Sequence, residues 1–426
     1  MAPAAAGVVL KTCQQRNARP LPSAPQNVFV HHSDAHNTSK LHAWTNYYEL
    51  PIDYTVEIHH NILSPQNPTL AKRFMPPGYK RRFVVIDRTV HSLYAHPILN
   101  YFNQHNVQPH FVILDGEEVN KRFAAVETIF NHLCEFGLLR REPIIAIGGG
   151  CLLDIVGFAA SCYRRGVPYI RVPTTLLAIV DASVGVKCGV DWQHPTMGPL
   201  KNRMGSFYPP MAAWLDKSFI STQDHRNLVN GMGEIMKLAL VRSPELFRLL
   251  EQHGPQLIAT RFQSNDAVPH RVIELSIQIM LEELGPNLWE YRLERCVDYG
   301  HTFSKILEMV ANPPVMHGEA VNIDGFLCIL LAHRKGWIST QLRDRVFSAM
   351  KNIGLPTWHP ACDLKVLTKA IADGVEHRHG KLRMPLVKGN IGSYGFVNEC
   401  SEDDLKHVIA QAHQLHQVVS VKEISM

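Results

Sequence analysis

Glu234 in NGMGEIMK, His301 in DYGHTF and His317 in VMHGEAV combine one carboxylate with two imidazoles. That is the ligand set of a catalytic divalent metal that keeps positions open for a substrate. Each residue sits in a short polar island within apolar helical sequence, where rigid packing can aim a side chain into a cleft. A lone histidine in such a place is usually a cap or a core residue. Two, beside Gly300 and Gly318 and downstream of a glutamate flanked by Met232, Ile235, Met236, Leu238 and Leu240, point to a shared ligand. Lys237 stands at i, i+3 from Glu234 and shares its face, which places an ammonium beside the carboxylate; a surface ion pair is the competing reading.

A second group lies upstream. Gly148, Gly149 and Gly150 follow the apolar run PIIAI and open an apolar helix. Glycines let a backbone approach a pyrophosphate, and a helix N-terminus favours its negative charge. The run is not G-x-G-x-x-G, so a tight strand-to-helix turn competes. Asp154 follows one helical turn on. Asp87 ends an earlier strand, where a ribose hydroxyl could be bound. Thr174 and Thr175 end the strand YIRVP, where hydroxyls could reach a nicotinamide or a phosphate. Asp181 and Lys187 flank the small-residue turn DASVGVK, Lys201, Asn202 and Arg203 follow a loop, and Arg164 and Arg165 come earlier. Together they form an anion cradle for a phosphorylated substrate, against which stands solvated surface charge.

The elements that position these residues change character along the chain. From about Trp44, near-continuous apolar strands (RFVVID, PHFVIL, PIIAI, YIRVP) alternate with helical stretches, the pattern of a parallel sheet covered on both faces. After about Asn202, NLVNGMGEIMKLALV, PELFRLLEQHG, RVIELSIQIMLEEL, HTFSKILEMV and GEAVNIDGFLCILLAHRKG read as helices, the last closing on Arg334, Lys335 and Gly336. The expected organisation is a disordered tail over residues 1–43, an α/β domain over 44–207 and a mostly helical domain over 208–426, with the active site between the two halves.

At 426 residues, with 46% apolar and 19% charged positions, the chain has the composition of a globular protein of two ordinary domains. Its net charge of +5 suits small anionic substrates. No Lys/Arg run with interleaved aromatics argues for nucleic acid, and no apolar run reaches the roughly 18 residues of a membrane helix. The nine cysteines are scattered without a C-x-x-C pair, as in a reduced, cytoplasmic protein.

The ordered motifs GGGCLLDIVGFAASCYRRG, VPTTLLAIVDASVGVK, KNRMGSFYPP, NGMGEIMK, DYGHTF and HGEAV resemble the sugar phosphate cyclases of the dehydroquinate synthase superfamily, from about Tyr54 onward. The resemblance implies a Rossmann-like NAD-binding α/β domain, a helical metal-binding domain, bound NAD+ and Zn2+ (Co2+ as the alternative ion), and a homodimer. It puts the metal on Glu234, His301 and His317. It puts NAD+ on Asp87, Glu118, Lys121, Gly149, Gly150, Asp154, Thr174 and Thr175, with Asp181 and Lys187 close by. It puts substrate near Arg165, Asp181, Lys187, Lys201, Asn202, Glu234 and Lys237. The implied reaction is transient oxidation, phosphate elimination, re-reduction and intramolecular aldol closure, with NAD+ regenerated.

Within the superfamily, Asp298 and Lys305 stand where dehydroquinate synthases carry Asn and His. LEELGPNLWE, with Leu284, Asp298 and His377, resembles the type that forms 2-epi-5-epi-valiolone from sedoheptulose 7-phosphate. Asp298 and His377 are therefore expected to contact substrate. Desmethyl-4-deoxygadusol synthases, which use the same substrate, typically carry Glu, Ala and Thr at those three places. Two features depart from both types: Lys305 replaces a usual Pro, and the loop His194–Pro199 is longer. A dehydroquinate synthase, a metal-dependent polyol dehydrogenase and a non-catalytic protein on this scaffold are the rival readings.

Overall fold

Strands apolar at every position must be buried on both faces, and the central strands of this chain are. The computed structural model describes residues 19–20, 28–32, 42–46, 50–196 and 198–424, in two units, Met1–Asp53 and Tyr54–Met426. In the first unit, β1 (Arg19–Pro20), β2 (Val28–His32) and β3 (His42–Asn46) form an antiparallel sheet in that order. The rest of the stretch expected to be disordered lies outside the described residues.

The second unit opens with β4 (Thr55–Ile58), α1 (Thr69–Lys72), β5 (Arg81–Asp87), α2 (Arg88–Gln104), β6 (Gln108–Leu114), α3 (Phe123–Phe136), β7 (Ile144–Gly148), α4 (Gly150–Cys162) and β8 (Tyr169–Pro173). A hairpin of β9 (Lys187–His194) and β10 (Gly198–Phe207) follows, then β11 (Ala212–Leu215). Six strands form one parallel sheet in the order β4-β11-β8-β7-β5-β6. Alternate residues feed two cores. Phe83, Val85, Ile144, Ala146 and Tyr169 pack on the side of α3 and α4, while Val84, Ile86, Ile145, Ile147, Ile170 and Val172 pack on the side of α2. The sheet runs past the expected division at 208, because β11 is inserted between β4 and β8.

The remainder is α5 (His225–Arg242), α6 (Pro244–Ala259), α7 (Val268–Leu284), α8 (Ser304–Val310), α9 (His317–Arg334), α10 (Thr340–Ile353), α11 (Leu364–His377), the short hairpin β12 (Met384–Val387) and β13 (Tyr394–Val397), and α12 (Glu402–Ile424). The β12–β13 hairpin is absent from the helical reading of this half, since a four-residue apolar run carries no periodicity. The core of this half centres on α5 and α9, each buried along most of its length.

Two glycines set how close those helices come. A Cβ on Gly233 would lie 2.2 Å from the Gly318 carbonyl oxygen, and one on Gly318 would lie 1.8 Å from the Asn230 carbonyl oxygen. The Asn230 side chain fixes the contact by accepting from the Gly318 N–H at 2.6 Å. Neither backbone can yield without parting the helices, so Gly318→Ala should cost about 3 kcal/mol or more. Urea denaturation of the purified variant checks this; a midpoint equal to that of the parent protein would contradict the packing.

Candidate active site

The close approach of α5 and the start of α9 puts Glu234 and His317 side by side: His317 Nε2 lies 3.2 Å from Glu234 Oε1. Gly300 at φ +73° turns the chain after the Cys296–Asp298 turn, where a Cβ would lie 2.7 Å from the Val321 carbonyl. That turn delivers His301, whose Nε2 is 3.8 Å from the same Glu234 oxygen. Asp324 of α9 accepts from the Phe303 and Ser304 N–H groups at 2.5 and 2.9 Å, which pins the start of α8 to α9. The ligand atoms of Glu234, His301 and His317 all fall within 4.8 Å of one another.

The donor chemistry fits a divalent cation. Both Glu234 oxygens are buried, and neither receives a hydrogen bond of good geometry, although Lys237 Nζ stands 2.5 Å from Oε2. Burial opposes the Glu234 charge, yet Lys237, then His317 and His301, hold its pKa well below the usual carboxylate range. His301 Nδ1 faces the Tyr299 carbonyl at 3.1 Å. A carbonyl only accepts, so the proton is on Nδ1 and Nε2 keeps its lone pair. Burial and the Lys237 ammonium push His301 down to about 3, so it stays neutral, as a ligand must. His317 Nδ1 lies 2.9 Å from Glu308 Oε1, a carboxylate–histidine pairing typical of metal ligands. Burial lowers the His317 pKa, but the flanking Glu234 and Glu308 outweigh it and raise it to about 10. The same two carboxylates would attract a metal ion in place of that proton.

Glu308 was not among the sequence candidates. Its only signal is a lone acid in the apolar stretch SKILEMV, two helical turns beyond His301. Burial opposes its charge, but His317 and Lys201 hold it at about 2. Lys201 bridges Glu308 at 2.5 Å and Glu118 at 3.0 Å, so it links the metal side to the α/β half. Its aim comes from an irregularity in the β9–β10 pairing between Leu200 and Met204, with Asn202 at φ +52°.

The glycine turn lies where the sheet order reverses. β6 flanks β5 on one side and β7 flanks it on the other, so the carboxyl ends of β5 and β7 border the crevice in which such sheets bind ligands. A Cβ on Gly148 would lie 3.1 Å from the Asp87 Cβ, so the two ends adjoin. Gly149 caps α4 with no side chain, leaving the first-turn N–H groups open to an anion. Thr174 Oγ1 is buried without a partner at the rim. Asp87 is less free than expected: it caps α2 through the Thr89 and Val90 N–H groups and also accepts from Gly116. Lys121 donates to Asp154 and Asn202, both at 2.7 Å. Lys121 therefore holds both of these residues.

Asp181 and Lys187 hold the two ends of one turn. Asp181 is half-buried, and burial together with the Glu234 charge raises its pKa. Lys237 stays an ammonium, because Glu234 and Asp181 raise it by more than burial lowers it. Lys187 is exposed and pairs with Glu290 at 3.0 Å. Leu284 packs at this turn, 3.3 Å from where a Gly185 Cβ would stand.

Three of the expected substrate contacts stand in other surroundings in this structure. Asp298 does not present a free carboxylate for a hydroxyl. It is buried and ion-paired with Arg295 on one oxygen and with Arg378, at 3.3 Å, on the other. Arg295 also pairs with Glu290. These partners sit in irregular sequence that gives no periodic cue. His377 is exposed at the end of α11, with Lys305, Arg378 and Arg203 around it. Arg165 is exposed in a left-handed pair with Arg164 and makes no ion pair among the described residues.

Residues 110–230 match the family described as 3-dehydroquinate synthase N-terminal, and residues 231–374 match 3-dehydroquinate synthase C-terminal. The chain is 43% identical over 370 residues to a 2-epi-5-epi-valiolone synthase of Streptomyces albus, covering 85% of this chain and 89% of that protein. It is 35% identical to the demethyl-4-deoxygadusol synthase of Trichormus variabilis, over 85% of this chain and 88% of that one. A solved structure of ValA, the 2-epi-5-epi-valiolone synthase of Streptomyces hygroscopicus subsp. jinggangensis with NAD+ and Zn2+ bound, superposes with a TM-score of 0.81 at 40% identity, over 87% of this chain and 99% of that one.

Because Glu308 touches the ligand and not the ion, Glu308→Gln should retain a site but bind Zn2+ about 10- to 100-fold more weakly. His317→Ala should lose stoichiometric metal altogether. Competition with a chromophoric chelator measures both; unchanged affinity in Glu308→Gln would detach Glu308 from the metal site, and full metal content in His317→Ala would refute the ligand set.

Proposed function

The chain belongs to the 3-dehydroquinate synthase family, and from that premise we propose that it is a sugar phosphate cyclase, a carbon–oxygen lyase converting sedoheptulose 7-phosphate to 2-epi-5-epi-valiolone with release of phosphate. The observation that carries this reading is the 43% identity to a 2-epi-5-epi-valiolone synthase across 370 residues, against 35% to a demethyl-4-deoxygadusol synthase. NAD+ and Zn2+, both bound in ValA, would supply reversible hydride transfer and Lewis-acid polarisation of a substrate oxygen.

In this reading Glu234, His301 and His317 hold the metal, and Glu308 orients His317. The Gly149–Gly150 turn receives the pyrophosphate and Thr174 faces the cofactor. Lys237, charged and buried beside Glu234, donates to a substrate hydroxyl. Asp181, the carboxyl whose pKa is raised, holds or takes a proton near that hydroxyl. Lys187, at the exposed end of the turn, can leave Glu290 for the more highly charged phosphate. Asp298 occupies Arg295 and Arg378, so neither guanidinium is free to clamp a substrate carboxylate. This favours the uncharged carbon skeleton of sedoheptulose over the carboxylated substrate of a dehydroquinate synthase. The free thiols of the described cysteines accord with the cytoplasm, and the proposed working form is a homodimer.

Incubation with sedoheptulose 7-phosphate, NAD+ and Zn2+ should release one phosphate per 2-epi-5-epi-valiolone, identified by mass and NMR, with no net gain in NADH absorbance. Stoichiometric NADH would indicate a polyol dehydrogenase, and demethyl-4-deoxygadusol as the main product would transfer the chain to that class.

A further inference from the structure

Asp181 and Lys187 face different partners: Asp181 shares the electrostatics of Glu234 and Lys237, and Lys187 reaches Glu290. Their separation is set by the turn between them, DASVGVK, which is rich in small residues: a helical turn ends at Ala182 and β9 begins at Lys187, leaving residues 183–186 without regular structure. Such a turn holds a fixed shape only if its polar backbone is held from outside.

One side chain does most of the holding. Arg171, in the middle of β8, is wholly buried, on the same face of the sheet as Tyr169, with its guanidinium 5.4 Å from that ring. Nη1 donates to the carbonyls of Ala182 at 3.2 Å and Gly185 at 2.5 Å, and Nη2 donates to the carbonyl of Lys187 at 3.1 Å. Two neighbours complete the set. The Tyr54 hydroxyl donates to the Val184 carbonyl at 2.8 Å, and the Tyr208 N–H donates to the Val186 carbonyl at 2.7 Å. These three hydrogen bonds run to main-chain carbonyls, and three acceptors spread over six residues suit a rigid fork of donors. An ammonium could not reach them together.

We propose that Arg171 is a positioning residue for the reaction: by gripping the turn from beneath, it fixes the distance between Asp181 on the metal side and Lys187 on the substrate side. The inference rests on the roles given to those two residues above. Arg171 touches neither substrate nor cofactor, so its contribution is geometric. Displacing a catalytic group by about 1 Å is enough to cost about 100-fold in rate.

Three variants test it: Arg171→Lys, Arg171→Met and Tyr54→Phe, each prepared as the full chain loaded with Zn2+ and NAD+. Two readouts are compared with the parent protein. One is amide hydrogen exchange over residues 182–187 and, as a control, over the helix bearing Glu234. The other is kcat and KM for phosphate release from sedoheptulose 7-phosphate. Arg171→Met should speed exchange in the turn by about tenfold or more, leave the helix and metal content unchanged, and lower kcat/KM by about 100-fold, mostly through kcat. Arg171→Lys should fall between it and the parent, and Tyr54→Phe, which loses one bond, should lose less than Arg171→Lys. If Arg171→Met does not fold, Arg171→Lys and Tyr54→Phe carry the test in the same order. Turn exchange or kcat/KM within twofold of the parent in the folded arginine variants would overturn the proposal. Exchange requires no substrate, so a parent protein that releases no phosphate defeats the proposed function and leaves the positioning role to be judged on the turn alone, by the same twofold limit.

Discussion

Everything at the metal-binding end depends on two helices touching backbone to backbone. Gly233 and Gly318 leave no room for a side chain between α5 and α9, and the residue following Gly233 and the residue preceding Gly318 are Glu234 and His317. The glycines therefore act as spacers of near-zero thickness, and the ligands are carried in with them. Gly300 serves the third ligand differently: its positive φ reverses the chain so that His301 points back at the same glutamate.

Around that contact the protein buries an unusual density of charge. Glu234, Lys237, Asp181, His317 and Glu308 stand together, and each is tolerable only because of the others. The alternation of sign is continuous. Glu234 lies between Lys237 and His317, Glu308 between His317 and Lys201, and Lys201 between Glu308 and Glu118. This chain of opposite charges crosses from the helical half to the α/β half, so the Glu234–His317 cluster is linked by ion pairs to Glu118. A second alternating chain runs from Lys187 through Glu290, Arg295 and Asp298 to Arg378. It ties the start of β9 to the end of α11. For Glu234, Glu308, Glu290 and Asp298 the neighbouring charges together outweigh burial, which is why these acids stay ionised where isolated ones would not.

Much of this was legible in the primary structure. The parallel sheet followed from strands without polar positions, and the clustering of Glu234, His301 and His317 from residue types beside glycines. The turn at Gly148–Gly150 was readable from an apolar run broken by three small residues. What escaped has a common cause. Glu308, Glu290, Arg295 and Arg378 are ordinary charged residues in irregular or unremarkable sequence, some with partners as far away as Lys201 and Lys187, and nothing in composition or spacing separates a buried charge from a solvated one. The short strands β11, β12 and β13 escaped for a related reason, since four apolar residues fit a strand or a helix equally well.

The sequence by itself therefore determined the kinds of groups available and the faces on which they stand: an oxygen and two nitrogens for a metal, glycines where backbones or phosphates approach, and a lysine one turn from the glutamate. Periodicity and chirality fix such things locally, without knowledge of the rest of the chain. Only the tertiary structure decided which charges meet. It turned Asp298 from an expected hydroxyl acceptor into the counter-ion of two arginines, made Glu308 the partner of His317, and set Arg171 beneath the turn between Asp181 and Lys187. Those pairings depend on distances between elements up to 80 residues apart, and electrostatic energies that vary steeply with distance and burial have no expression in a linear pattern.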